Sequence, residues 1–244
     1  MNNLENNILK INKFKKNNII CNLVNWNYLE KIVNENNIQL IDFVGKGHRG
    51  VVFKGIYIDE NNNKNNNNKN NKNENKKIIA LKVHRLNSKN TIINEGNILL
   101  QTNKFSVGPK LYKYSENYLI MDYLEGINLK DYLYKSKNIN KKNLQNIVHN
   151  TLKQCLKLDL HNIDHTEIQG GKHIIVGENG AIKLLDFDKS KITSKPHNFT
   201  SAVSLFFGGG HISKKVCNIL EINLTKERDF LINLLVKYKK LFLK

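Results

Sequence analysis

Gly45, Gly47 and Gly50 are followed at once by Val51-Val52-Phe53-Lys54-Gly55-Ile56-Tyr57, a run rich in β-branched and aromatic residues. A Gly-x-Gly-x-x-Gly that serves a dinucleotide has to open a helix, and a Val-Val-Phe start is poor for one. The spacing therefore predicts a strand, a glycine loop and a second strand. Such a flap brings backbone N–H groups close to an anion because no side chain stands in the way. Lys46 lies within the loop, and Val52 is placed to close over a planar ring.

Three further signals follow in a fixed order. Ile79-Ala80-Leu81-Lys82 sets one lysine in an apolar strand. An ammonium there needs an anionic partner, since burying it alone is costly. Glu95, on the next predicted helix, is the candidate, and together they would hold the α- and β-phosphates of a nucleotide. Asp164 follows a long helix and is suited to accept or orient the proton of an attacking hydroxyl. Asp186 of Asp186-Phe187-Asp188 ends an apolar strand and suits Mg²⁺, a hard cation that prefers carboxylate oxygen. Taken singly, these are a surface lysine and two turn acids. In this order they are the parts that phosphoryl transfer requires.

The periodicity organises the rest. Trp26–Asn36 reads as a short amphipathic helix, and Ile38–Ile58 as two strands. Asp59–Lys77 is an Asn/Lys tract with almost no apolar side chain. It cannot bury enough surface to offset its ordering entropy, so it is expected to be a disordered hairpin insertion. Ile78–His84 reads as a third strand and Thr91–Thr102 as a helix. Pro109–Tyr114 and Tyr118–Tyr123 complete five strands. Beyond them the pattern turns helical, with Lys142–Leu160 the longest segment and a strand pair at Ile174–Val176 and Ile182–Leu185. The last stripe, Phe230, Leu231, Leu234, Leu235, Tyr238, Leu241 and Phe242, is expected to dock on its own domain. The fold class is α+β, a five-stranded antiparallel sheet with one helix followed by a small, mostly helical lobe. The expected divisions are an N-terminal extension (1–37), a sheet lobe (38–121, with 59–77 inserted) and a helical lobe (122–244).

Composition narrows the function classes. The formal charge of +18 points toward polyanions, yet guanidinium comes only from Arg49, Arg85 and Arg228. Arginine is the preferred fork for phosphates and base edges. The charge therefore reads as a general lysine bias, and a nucleic-acid or ribonucleoprotein partner is weakly supported. Cys21, Cys155 and Cys217 show no metal or disulfide spacing and read as reduced thiols. No apolar run suits a membrane span and the N-terminus has no secretion-signal layout, so a cytoplasmic location is expected.

The strings Gly45–Val52, Ala80–Lys82, Val107–Tyr112, Met121–Gly126 and Asp164–Val176 together resemble the protein-kinase-like superfamily. The likeness is greatest to its small RIO-like and archaeal serine/threonine members. It implies a bilobal protein-kinase-like fold and a serine/threonine kinase that uses ATP and Mg²⁺ on a protein or small-molecule acceptor. By that resemblance Met121 is the gatekeeper, Asp122 to Leu124 the hinge for adenine, Asp164 the catalytic aspartate and Asp186 the metal ligand. Glycines 45, 47 and 50, with Lys46, Val52, Ala80, Lys82 and Glu95, complete the nucleotide site.

The departures matter. Asn162-Ile163-Asp164 carries no arginine to receive an activation-loop phosphate. The second metal position falls on Gln169 by spacing and on His173 by strand alignment. Lys172 is left to contact the γ-phosphate, and Asp188 stands where a glycine is usual. No Ala-Pro-Glu segment follows, so a usual activation segment and peptide platform are not expected. Two other classes compete: a nucleotide-binding switch acting through a partner without turnover, and a small-molecule kinase.

Overall fold

The computed structural model describes residues 3–58 and 76–242. The chain divides into two compact units, Met1–Gly96 with Lys110–Tyr123, and Asn97–Pro109 with Leu124–Lys244.

The first unit begins with α1 (Asn3–Lys15) and α2 (Trp26–Glu35), the latter capped by Asn25, whose side chain accepts from the Tyr28 amide. Five strands follow: β1 (Ile38–Lys46), β2 (Gly50–Ile58), β3 (Lys76–His84), β4 (Leu111–Tyr114) and β5 (Tyr118–Asp122), with α3 (Ile92–Thr102) between β3 and β4. The sheet order is β1-β2-β3-β5-β4, antiparallel throughout. Interior strand β3 is buried without alternation from Ile79 to Val83. Residues 59–75 of the Asn/Lys tract lie outside the described residues. Its last two, Lys76 and Lys77, are already strand.

Residues read as an N-terminal extension supply much of this unit's core. Ile11 and Phe14 of α1, Ile20 and Val24 of the connection, and Leu29, Ile32 and Val33 of α2 pack with Ile38, Phe53 and Leu81. The Phe14 and Phe53 ring centroids are 5.4 Å apart. Asn7 also pairs with the outer edge of β1. It donates to the Ile38 carbonyl at 2.8 Å and accepts from the Leu40 amide at 2.9 Å. An edge strand otherwise leaves such groups open.

The second unit is built on α5 (Lys141–Leu160), capped by Asn140, with Leu144, Ile147, Val148, Thr151, Cys155, Leu158 and Asp159 buried. The apolar members of that set recur at helical spacing, which is the face α5 turns to the core. Around it stand α4 (Leu129–Lys135), α6 (Asn198–Phe207), α7 (His211–Leu220) and α8 (Leu224–Phe242). Five short strands complete the unit: β6 (Ile127–Asn128), β7 (Ile163–Asp164), β8 (Ile174–Val176), β9 (Ile182–Leu184) and β10 (Lys191–Ile192). They form a three-stranded sheet, β6-β8-β9, and a two-stranded ladder, β7 with β10.

The α8 stripe departs from the sequence reading. Tyr238 is buried and Leu231 and Leu235 are half-buried, but Phe230 is 65% and Leu234 42% exposed. The docked face is thus narrower than the stripe. No described helix is long and apolar enough to cross a membrane.

Truncating Phe14 to alanine should lower unfolding stability by about 3 kcal/mol, whereas Phe230→Ala should cost less than about 0.5 kcal/mol. Urea unfolding followed by circular dichroism reads both. Equal midpoints for the two variants would contradict the packing of α1.

Candidate active site

The flap forms where β1 turns into β2. The Gly47 amide donates to the Gly50 carbonyl at 2.8 Å, and Arg85 steadies the turn through its own amide to the Arg49 carbonyl at 3.0 Å. None of the three loop glycines has a positive φ, so their purpose is space. At Gly45 a Cβ would meet nothing within 4 Å, and at Gly47 only the Gly50 carbonyl at 3.8 Å. Gly50 differs. A Cβ there would stand 2.9 Å from Lys82 Cε and 3.0 Å from its Cγ. Two glycines leave the loop bare, and the third makes room for the stem of Lys82.

Lys82 sits opposite Val52 on one side and Leu119 on the other. Its Nζ lies 2.6 Å from Glu95 Oε2, and the two side chains are 8% and 1% exposed. The strand lysine is therefore tolerable because α3 delivers a carboxylate to it in the interior. Ala80 and Met121 face each other across β3 and β5, both buried. The Asp122 amide donates to the Lys110 carbonyl at 2.8 Å, and its carboxylate accepts from Tyr112 Oη at 2.5 Å. Leu124 begins the second segment of the second unit, and Lys46 is exposed on the flap.

In the second unit Asp164 ends β7 and is 2% exposed. Its Oδ1 accepts from the Thr166 amide at 3.0 Å, and its Oδ2 lies 2.7 Å from His197 Nδ1. Asn162 and Thr166, on either side, hold left-handed backbone at φ 58° and 68°. Two hydrogen bonds of Asn198, which belongs to the Lys195-Pro196-His197-Asn198 string of further likeness to the protein-kinase-like superfamily, fix this loop. Asn198 Oδ1 accepts from the His165 amide at 2.8 Å, while its Nδ2 donates to the Ile163 carbonyl at 2.6 Å. One amide thereby grips the backbone before and after Asp164. The spacing of that string gives no sign of contact with residue 164.

Asp186 adopts φ 66°, and its side chain is 31% exposed. His173 Nδ1 lies 3.8 Å from Asp186 Oδ2, and His173 Nε2 lies 3.9 Å from Glu167 Oε2. Gln169 and Lys172, by contrast, line a cavity with residues of α4 and α6. Of the two candidates for a second metal position, His173 is the one beside Asp186. Among the described residues no three His, Cys, Asp or Glu side chains converge as a closed metal cage. Magnesium in a nucleotide site keeps waters and phosphate oxygens and takes only one or two carboxylates from protein. A partly exposed Asp186 fits that demand, whereas an imidazole is a poor ligand for it.

The Asp-Phe-Asp segment is anchored by its middle residue. Phe187 is fully buried, and a Cβ on Gly108 (φ 79°) would stand 2.9 Å from its ring. The His165 ring meets it edge-on at 4.7 Å. His165 is itself completely buried, with Nε2 3.1 Å from the Leu185 carbonyl. A carbonyl only accepts, so Nε2 carries the proton. Burial, and then the neighbouring His173, push the His165 pKa down to about 4, against the opposing pull of the Leu185 bond and of Asp186 and Glu167.

These features belong to a known class. A family model described as protein tyrosine and serine/threonine kinase matches residues 38–203, more than half of the chain, and the protein belongs to that family. It is thus a kinase, with ATP as the donor its class uses. It is also similar to an uncharacterized protein of Methanocaldococcus jannaschii, 39% identical over 121 residues that make up 50% of this chain and 100% of the relative.

The buried His165 predicts an acid-sensitive fold. An unfolded histidine takes up its proton near pH 6.5, while the folded one resists protonation down to about 4. Stability present above pH 6.5 is therefore lost as the pH falls through that window, by about 2 kcal/mol at pH 5. Urea midpoints at pH 7.5 and pH 5, compared with those of His165→Gln, check this. The variant should lose about 2 kcal/mol less than the wild type on acidification, and identical losses would contradict a neutral His165.

Proposed function

We propose that the protein is a serine/threonine protein kinase that transfers the γ-phosphate of Mg-ATP to a hydroxyl. The observation that carries this reading is the buried Lys82–Glu95 pair, 2.6 Å apart, with Gly50 making room for the lysine. The pair fixes an ammonium at this depth, and an ammonium is the chemical complement of a phosphate oxygen. Lys82 then binds the α- and β-phosphates, and the bare backbone at Gly45 and Gly47 approaches the phosphate chain from the flap. Val52, Ala80 and Met121 supply apolar contact for the adenine, with the Asp122 to Leu124 backbone beside it.

Asp164 orients the acceptor hydroxyl and takes the developing proton on its carboxylate. Asn198 keeps the loop from shifting, and His197 stands against Oδ2. Asp186 would hold the divalent cation, which when bound offsets the charge spread over the transferring phosphoryl group. Catalysis in this reading is positioning and electrostatics in a prearranged site. The serine/threonine assignment follows the small RIO-like and archaeal members that the sequence resembles.

The test is incubation with Mg-ATP labelled at the γ-phosphate and a generic protein acceptor, followed by phosphoamino-acid analysis. Label should appear on serine or threonine, and Asp164→Asn should lower transfer at least 100-fold while ATP binding stays within about threefold. Label on tyrosine would overturn the acceptor class. ATP binding without transfer would overturn the kinase reaction in favour of a nucleotide switch.

A further inference from the structure

A cavity of about 700 Å³ opens in the second unit directly beyond the loop of Asp164. Gln169, in that loop, forms one wall, and Lys172 follows it. The opposite walls come from Lys130 and Tyr134 of α4 and from His211 at the start of α7. Among the described residues lining it there is no aspartate or glutamate. Neither Lys130, Lys172 nor His211 is held in a salt bridge with a described residue, and all three are exposed. The neighbouring carboxylate Asp131 feels the charge of Lys130 but does not line the cavity, and it bonds Asn128 at 3.1 Å and Lys135 at 3.1 Å. Lys172 precedes His173, which lies 3.8 Å from the Asp186 carboxylate. The cavity therefore starts one residue from the groups assigned to phosphoryl transfer.

A concave site with two ammonium groups, an imidazole and a phenol, and no acid to neutralise them, is complementary to a carboxylate-bearing ligand. We infer that this cavity receives acidic side chains of the polypeptide acceptor, so that the enzyme selects serine or threonine within a Glu- or Asp-rich segment. The inference rests on the protein-kinase reading, since that reading makes the occupant a polypeptide. It places substrate choice on fixed helices and on the loop that carries Asp164. Docking there sets the register of the acceptor hydroxyl.

The experiment measures fluorescence anisotropy of two labelled peptides on the full chain at 0.15 M salt, without ATP. One is a serine peptide flanked by glutamates, the other the same peptide with glutamines. The acidic peptide should bind at least 10-fold more tightly. The double variant Lys130→Glu/His211→Glu should remove that preference, both side chains being exposed and outside the nucleotide machinery. A control with the same change in formal charge, histidine being neutral, Lys239→Glu/Lys240→Gln on α8, should stay within twofold of the wild type.

Equal losses in both variants would assign the binding to the net charge of the chain and overturn the proposal. Equal affinity for the two peptides would do the same. Failure of the kinase reading shows separately, as absence of labelled phosphate transfer from a protein whose peptide preference is intact. A melting temperature of the pocket variant within about 2 °C of the wild type confirms that the comparison is between folded proteins.

Discussion

A carboxylate taken out of water must have its oxygens filled, or its burial costs several kcal/mol. Asp159, near the end of α5 and 3% exposed, meets that demand with donors from three residues at two places in the chain. Its Oδ1 accepts from the Asn198 amide at 3.0 Å and from Asn198 Nδ2 at 2.6 Å. Its Oδ2 accepts from the Phe199 amide at 2.9 Å and from Tyr238 Oη at 2.5 Å. The start of α6 and the far end of α8 are thus tied to α5 through one side chain. Burial, and then this bond, raise the Tyr238 pKa, so the hydroxyl keeps its proton and remains a donor. Asn198 passes the constraint onward, because the amide that satisfies Asp159 also holds the Ile163 carbonyl and the His165 amide. Left-handed backbone at Asn162 and Thr166 is uncommon for such residues and persists where the surroundings over-determine it.

The first unit solves a related problem by a different route. There the buried charge is a pair, Lys82 with Glu95, whose mutual contact at 2.6 Å offsets part of its desolvation cost. A pair of this kind is weak as a source of stability but strict as a specification. Loss of either partner leaves the other charge stranded in a sheet whose neighbours are Leu81, Val83 and Leu119. Gly50 belongs to the same arrangement, since any larger residue would press on the lysine stem. The flap and the lysine are therefore one unit of design, which is why the glycine spacing and Ala80-Leu81-Lys82 occur together in the chain.

What the sequence made legible was whatever rests on local pattern. The glycine loop, the interior strand of β3, the helical spacing in α5 and the acids at 164 and 186 all announce themselves within a dozen residues. Membership of the kinase family follows from their order. What stayed hidden depends on partners far apart in the chain. Asp159 and Asn198 are an ordinary helix acid and an ordinary turn residue until the fold brings them together. The packing of α1 was equally silent, because Ile11 and Phe14 are diluted by Asn and Lys. The α8 stripe failed for the opposite reason. Its apolar residues are frequent enough to cover more than one face, so periodicity alone overstates how much of the helix is docked. The choice between Gln169 and His173 was open for want of geometry, which sets His173 Nδ1 3.8 Å from Asp186 Oδ2 and Gln169 in the wall of a cavity.

The residue after Phe187 shows how a departure from a family pattern is absorbed. Glycine at that position usually relieves a strained turn, and Asp188 is expected to restrict it. Here Asp186 has the left-handed conformation, at φ 66°, and Asp188 has none. Aspartate tolerates that region better than most residues because its short side chain makes local hydrogen bonds. Asp188 is thereby free of the conformational demand and lies buried at 6% exposure. Phe187, seated against Gly108 and the edge of a neutral His165, sets the direction from which Asp186 emerges. With the phenylalanine packed and the turn carried by Asp186, the direction in which the Asp186 carboxylate leaves the strand is set by the core of its own unit.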